Sequence, residues 1–549
     1  MTTGTGRVLS GALVVALLAA GCTGPDTVSG PRATATATTD PDSTVAGDPT
    51  QAPVFDEDDA VLNVAIPEPA TLDPMRLQDP GSVLVARQLF EGLTRWDQTQ
   101  ERVQPAAAQR WTVSDGGRTF AFRLREGMSF HDGTPVTSQT FKFAFERIAA
   151  KGNASDLAYT LELVDGFAAV NQSGTSQRLA GISAPDPLTL VFRLSEPFYD
   201  FPAVLTHPGL VPLPPAAVRD VDEFLASPTG NGPFQIAEPW SPGQPVILRS
   251  FPGFIQTPEL DGIRLLPYPD AAASWLPFVR GDLDVAEVPA GQLEEAQERF
   301  GEEGFQPFLA GYYYGLNIAS PAMKDRRLRI ALNRAIDRSA IAQTIYKGSM
   351  EPPRGIVPIG MPGFQENFCL PLCRYSPDAA RSLLEDVPEK KRKVTLEYTQ
   401  GEPHGEVARF VKRDLEAVGM TVRVKSYPFP EYLKRLQKND QEMYRYGWIA
   451  EYPVADVFLS ALFASDSPDN HSGFRSSKVD SLLAEAHAER SEGRREQLYI
   501  QAEKAILKDA PLIPIGSFVT HWATQSDVQG IQFDVTGGFD AAEVALAEE

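Results

Sequence analysis

The sequence predicts an α/β fold spread over more than one domain, on three observations. At 549 residues the chain is longer than one hydrophobic core supports, and 42% of it is hydrophobic, enough for two or three cores. The stretch "KVTLEYTQGEPHGEVARFVKRDLEAVGMTVRVKSY" (393–427) reads as strand, loop, helix ending at Gly419, and strand. Such a βαβ unit implies a parallel pair and an α/β layer. Finally, "WTVSDGGRTFAFRL" (111–124) alternates apolar and polar residues on both sides of Asp115-Gly116-Gly117, and "SAPDPLTLVFRL" (183–194) repeats the pattern at Asp186-Pro187. Both read as antiparallel hairpins.

From the N-terminus, the first feature is an apolar run from Val8 to Ala20 behind a single charge, Arg7. Its length is that of a secretory signal core, and no apolar stretch reaches the roughly 18–20 residues that span a bilayer. The run ends in Ala19-Ala20-Gly21-Cys22, which resembles the lipobox of bacterial lipoproteins, with Ala19 where leucine is commonest. That resemblance implies a signal peptide over 1–21 and acylation of the Cys22 thiol. The alternative is an ordinary signal cut near Ala20, leaving Cys22 as a spare thiol. Residues 22–53 are mostly Thr, Ala, Pro, Asp, Gly and Ser, cannot form a core, and read as a disordered tether.

Folded sequence is expected from about Ala60. "AVLNVAIPE" reads as a strand and "VLVARQLFEGL" as a helix. "PVTSQTFKFAFERI" opens a helix with Thr137 as N-cap and a Val136–Phe141 hydrophobic staple. In "DRRLRIALNRAIDR", Leu328, Ala331, Leu332, Ala335 and Ile336 make one apolar helical face, with arginines on the other. With Cys22 set aside, Cys369 and Cys373 are an even pair whose spacing in an exported chain reads as a disulfide. Pro371 between them makes that segment a turn rather than a helix.

Charge and composition exclude several functions. A net charge of −22 argues against a nucleic-acid partner, whose phosphates would repel the surface. The six histidines form no metal-ligand spacing, so neither a metal nor another cofactor is expected. There is no Gly-x-Ser-x-Gly elbow, phosphate-cradling glycine loop or Cys–His arrangement. The chain is therefore not expected to be an enzyme, an exported hydrolase being the runner-up.

Eight segments in order carry a family resemblance: "TLDP" (71–74), "LFEGL" (89–93), "AAAQRWTVSDGGRTFAFRLREGMSFHDGTPVTSQTFKFAFERI" (106–148), "PTGNGPF" (228–234), "YYYGLN" (312–317), "DRRLRIALNRAIDR" (325–338), "YGWIAEYPVADVFLSALF" (446–463) and "APLIPI" (510–515). Together they resemble the bacterial extracellular solute-binding proteins of family 5, the peptide, dipeptide and nickel type that serve ABC importers. The resemblance implies a two-lobed, periplasmic-binding-protein-like fold (type II, cluster C). Lobe I would comprise 54–310, with an inserted subdomain at about 94–208. Lobe II would be 311–509, and residues 510–549 would return to lobe I. The expected protein is a monomer outside the cytoplasm, lipid-anchored at Cys22, that hands oligopeptides to a permease and its ATPase. Binding of an oligosaccharide, haem or metal chelate, or ligand sensing, remains open on the same fold.

Site residues also follow from the resemblance. Glu451 stands where peptide binders place an aspartate against the ligand's α-ammonium, with one extra methylene. Trp448 would form an apolar wall, and Arg445 matches a position that meets a ligand carboxylate. Gln78, Asp79 and Pro80 lie in the loop expected to bond the peptide main chain. The loop 399–406 lacks the arginine of dipeptide-type members, which favours a longer peptide; His404 within it is the one histidine expected near ligand.

Overall fold

A computed structural model of the protein describes residues 54–216, 218–450 and 452–547. The expected signal peptide and tether, Cys22 and Glu451 lie outside the described residues.

Two long strands, Phe305–Leu316 and Leu512–Thr524, run antiparallel through the middle of an eleven-stranded mixed sheet. On one side they continue into Val285–Glu287, Val61–Ile66, Gly262–Pro267, Val246–Ser250 and Phe234–Ile236. On the other they continue into Met443–Ile449, Lys393–Thr399 and Thr421–Tyr427. The register between the two long strands shifts between Pro307 and Gly311, and again between Tyr312 and Tyr313. Irregularities of this kind bend and twist a ladder. Each half has its own core, around Leu62, Val64 and Leu265 in the first and around Leu316, Leu396 and Val411 in the second. The architecture is thus the two-lobed α/β fold, with the two long strands, which we call the hinge strands, running between the two halves.

The predicted βαβ unit forms in the second lobe. Lys393–Thr399 pairs in parallel with Thr421–Tyr427 from Lys393↔Thr421 to Thr399↔Tyr427, with helix His404–Ala417 between them. Gly419 holds φ at 94°, a turn that a side chain would strain. His404 begins that helix rather than lying in the loop before it.

The predicted hairpins form an insertion in the first lobe. Ala108–Ser114, Thr119–Leu124, Thr189–Arg193 and Ile182–Asp186 make a four-stranded antiparallel sheet. Helix Ser138–Ala149 covers it, burying Phe141 and Phe145 against Phe120 and Phe192. The cap is as expected: the Thr137 amide donates to Thr140 Oγ1 (3.1 Å), and Val136 and Phe141 are both buried.

Two local expectations need correction. Leu370–Cys373 is one turn of α-helix, not a plain turn. Pro371 fits because the first helical turn needs no amide donor there; the Cα atoms of Cys369 and Cys373 stand 5.4 Å apart. In helix Arg326–Ala335 the arginines do not all face solvent. Arg329 is buried and donates to the carbonyls of Asp509 and Ala510, at the end of helix Glu492–Asp509, and to that of Met323. Helix C-termini leave carbonyls without intrahelical partners, and a guanidinium satisfies several at once.

Candidate ligand site beside the hinge strands

Strand Met443–Ile449 pairs with the first hinge strand through Tyr314↔Arg445, Tyr312↔Gly447 and Gly311↔Trp448. Alternation along a strand sends neighbouring side chains to opposite faces, which here divides the candidates. Tyr444, Tyr446 and Trp448 share one face, with successive ring centroids 6.0 Å apart, and pack towards the helices of the second lobe. Arg445 takes the other face, its guanidinium carbon 5.0 Å from the centre of the Tyr312 ring. The structure therefore does not put Trp448 and Arg445 on one wall. Trp448 is partly buried and its Nε1 has no hydrogen-bond partner.

Around Arg445 the aromatic groups form a run. Tyr312 lies 5.9 Å from Tyr314 and 6.3 Å from Tyr346, and Tyr346 packs edge-on against Phe518 of the second hinge strand (5.7 Å). Tyr312 Oη approaches His404 Nδ1 at 3.4 Å. Burial, with the Arg445 charge adding to it, pulls His404 down to about 3, so its imidazole is neutral in ordinary media. Arg445 is buried, at 6% exposure, yet its Nε has no partner and no described carboxylate pairs with it. The hydroxyls of Tyr314 and Tyr346 are also buried without a partner. Among the described residues, the Arg445 Nε and two tyrosine hydroxyls without hydrogen-bond partners make an environment for an anionic group, because a buried charge is stable only when paired.

Asp79 has a local task. It caps helix Pro80–Leu89, its carboxylate accepting from the Ser82 amide (2.8 Å) and hydroxyl (2.6 Å), with Pro80 in the first helical position. Gln78 beside it is exposed. His131 is a turn residue, accepting from the Gly230 amide through Nδ1 at 3.2 Å, and burial lowers it to about 4. Among the described residues no three His, Cys, Asp or Glu side chains cluster as a metal would require. Sequence reasoning missed Tyr314 and Tyr346, because tyrosines in apolar runs read as core.

Residues 102–470 match the sequence profile of the bacterial extracellular solute-binding proteins, family 5. The chain belongs to that family. Among its relatives, the probable deoxycholate-binding periplasmic protein of Escherichia coli (strain K12) is 28% identical over 463 residues, 82% of this chain and 86% of the relative. The oligopeptide-binding protein of Bacillus subtilis (strain 168) is 25% identical over 500 residues, 87% of this chain and 91% of the relative. A solved structure of a periplasmic murein tripeptide-binding protein, in an unliganded open form, has a TM-score of 0.77 at 23% identity, covering 90% of this chain and 98% of that one. The family assignment makes this chain a solute-binding protein. Its relatives are transport-associated binding proteins rather than enzymes, and they work outside the cytoplasm.

Proposed function

We propose that this protein captures oligopeptides outside the cell and delivers them to an ABC importer. The observation that carries the reading is Arg445, a buried guanidinium beside the hinge strands with no described carboxylate against it. A peptide's carboxylate supplies the missing charge, with the Tyr314 and Tyr346 hydroxyls and the neutral His404 ring at its flank. Glu451, six residues further on, would meet the α-ammonium. Trp448 would face ligand side chains, and the Gln78–Pro80 loop would bond the peptide main chain. The relatives named for oligopeptides and murein peptides lend support. A carboxylated amphiphile is the second reading: it would satisfy Arg445 equally, its apolar body would suit the tyrosine run, and one relative is named for deoxycholate.

The proposed organisation is a signal peptide (1–21), a lipid on Cys22, a tether to residue 53, lobe I (54–310, insertion about 94–208), lobe II (311–509) and a return to lobe I from 510. Cys369 and Cys373 would be oxidised to a disulfide, and the protein would act as a monomer against a membrane permease and its ATPase. Native mass spectrometry of the protein purified from rich medium tests the ligand. A spread of co-purified short peptides supports the reading; one discrete non-peptide mass ends it. Cys22→Ser should release the protein from the membrane fraction, and a variant that stays bound refutes the anchor.

A further inference from the structure

Helices Asp456–Phe463, Ser477–Ala488 and Glu492–Asp509 pack on the second lobe. Phe198 and Phe201, on either side of Asp200, belong to the core of the insertion in the first lobe. Nothing in the sequence marks these as neighbours, yet they meet in a buried polar contact away from the hinge ladder. Arg495 Nε donates to Asp200 Oδ1 (2.8 Å), and Tyr499 Oη donates to Asp200 Oδ2 (3.0 Å). The Tyr199 amide donates to the His487 carbonyl (3.0 Å), and the Phe198 ring stands edge-on to the His487 ring at 5.0 Å. Behind it, His487 Nε2 pairs with Asp456 Oδ1 at 2.7 Å. The Arg495 and Asp200 side chains are only 11% and 12% exposed.

We propose that the Asp200–Arg495–Tyr499 contact is a latch between the insertion and the second lobe that sets how readily the two lobes rotate about the hinge. The covalent hinge is the pair of long strands, so any rotation of one lobe against the other must move Asp200 relative to Arg495 or be restrained by their contact. The chemistry suits a contact that opens. A buried ion pair gains little over its two solvated halves, because desolvation offsets most of the attraction. Separated, Asp200 and Arg495 both return to water, and a contact carried by polar groups has the character of interfaces that open within a chain. Removing one partner penalises only the engaged arrangement, where the other charge would be left buried and unpaired. Affinity for ligand would then be controlled from a contact that touches no ligand, through the population of the binding-competent arrangement.

The test needs no knowledge of the ligand. The full-length protein carries a donor–acceptor pair at the exposed positions 276 and 375, one on each lobe, introduced as non-natural amino acids, and single-molecule energy transfer is read without ligand. Arg495→Gln and Asp200→Asn should each change the ratio of the two arrangements tenfold or more, with Arg495→Lys in between. Should those variants fold poorly, Tyr499→Phe removes one hydroxyl only and should shift the ratio in the same direction, by less. Distributions that superimpose on the wild type, whatever happens to the melting temperature, make the contact a static packing feature and overturn the proposal.

Discussion

Arg338 and Arg445 are the same side chain at nearly the same burial, 4% and 6% exposed, in the same half of the molecule. Around Arg338 the backbone converges: its guanidinium donates to the carbonyls of Pro514, Asn333, Ile336 and Cys373 and to the Asn333 side chain. It ties a hinge strand to the end of helix Arg326–Ala335 and to Cys373. Around Arg445 the groups are tyrosine rings, a neutral imidazole and hydroxyls without partners. Among the described residues the first region has a full set of acceptors, and the second leaves the Arg445 Nε without one. An equally buried charge thus serves structure where the described residues supply its acceptors, and is left available for the proposed ligand where they do not.

The largest effect should come from breaking the complete region. Arg338→Met leaves several buried carbonyls unpaired and should lower stability by about 3 kcal/mol or more in urea denaturation. A loss under about 1 kcal/mol would remove Arg338 from its structural role.

Glu503 extends the comparison to a carboxylate. It is buried, accepts from the amides of Ile356 and Val357, and is pushed by burial from 4.5 to about 7. Because its value in the fold lies above that in the unfolded chain, its contribution is fully present below about pH 4.5. It is lost as pH rises through about 7, on the order of 3 kcal/mol. Glu503→Gln should flatten that part of the stability profile, since the amide oxygen still accepts both bonds; an unchanged slope assigns the dependence elsewhere.

Arg445→Met should do the reverse of Arg338→Met. Stability should hold or rise, because a buried charge with no described carboxylate against it is removed, while ligand affinity falls tenfold or more (about 1.4 kcal/mol) by calorimetry with the co-purified ligand. Equal destabilisation in both variants would erase the contrast between the two regions. The smallest effect is expected at Asp79. Asp79→Ala should cost about 1 kcal/mol through the lost cap and leave ligand affinity alone. A tenfold loss of affinity there would show that the Asp79 side chain does more than cap the helix and takes part in holding the ligand.

Much of the architecture was legible locally. The hairpins at 111–124 and 183–194, the Thr137 cap and the βαβ unit all rest on periods and turn residues within a few positions of one another. The site was legible only in part. Strand alternation placed Arg445 and Trp448 on opposite faces, although odd and even positions were already a hint. Arg329 looked like a surface residue because the helical pattern does not reveal which carbonyls end beside it.

The sequence by itself determined the order and type of the elements, because these follow from short-range sterics, hydrogen bonding and the spacing of apolar residues. The tertiary structure decided which buried charges find partners. Arg338 meets Pro514 across 176 residues, and Asp200 meets Arg495 across 295. Pairings at such separations leave no periodic trace in the chain, since they depend on how whole layers pack and on where the hinge allows those layers to meet.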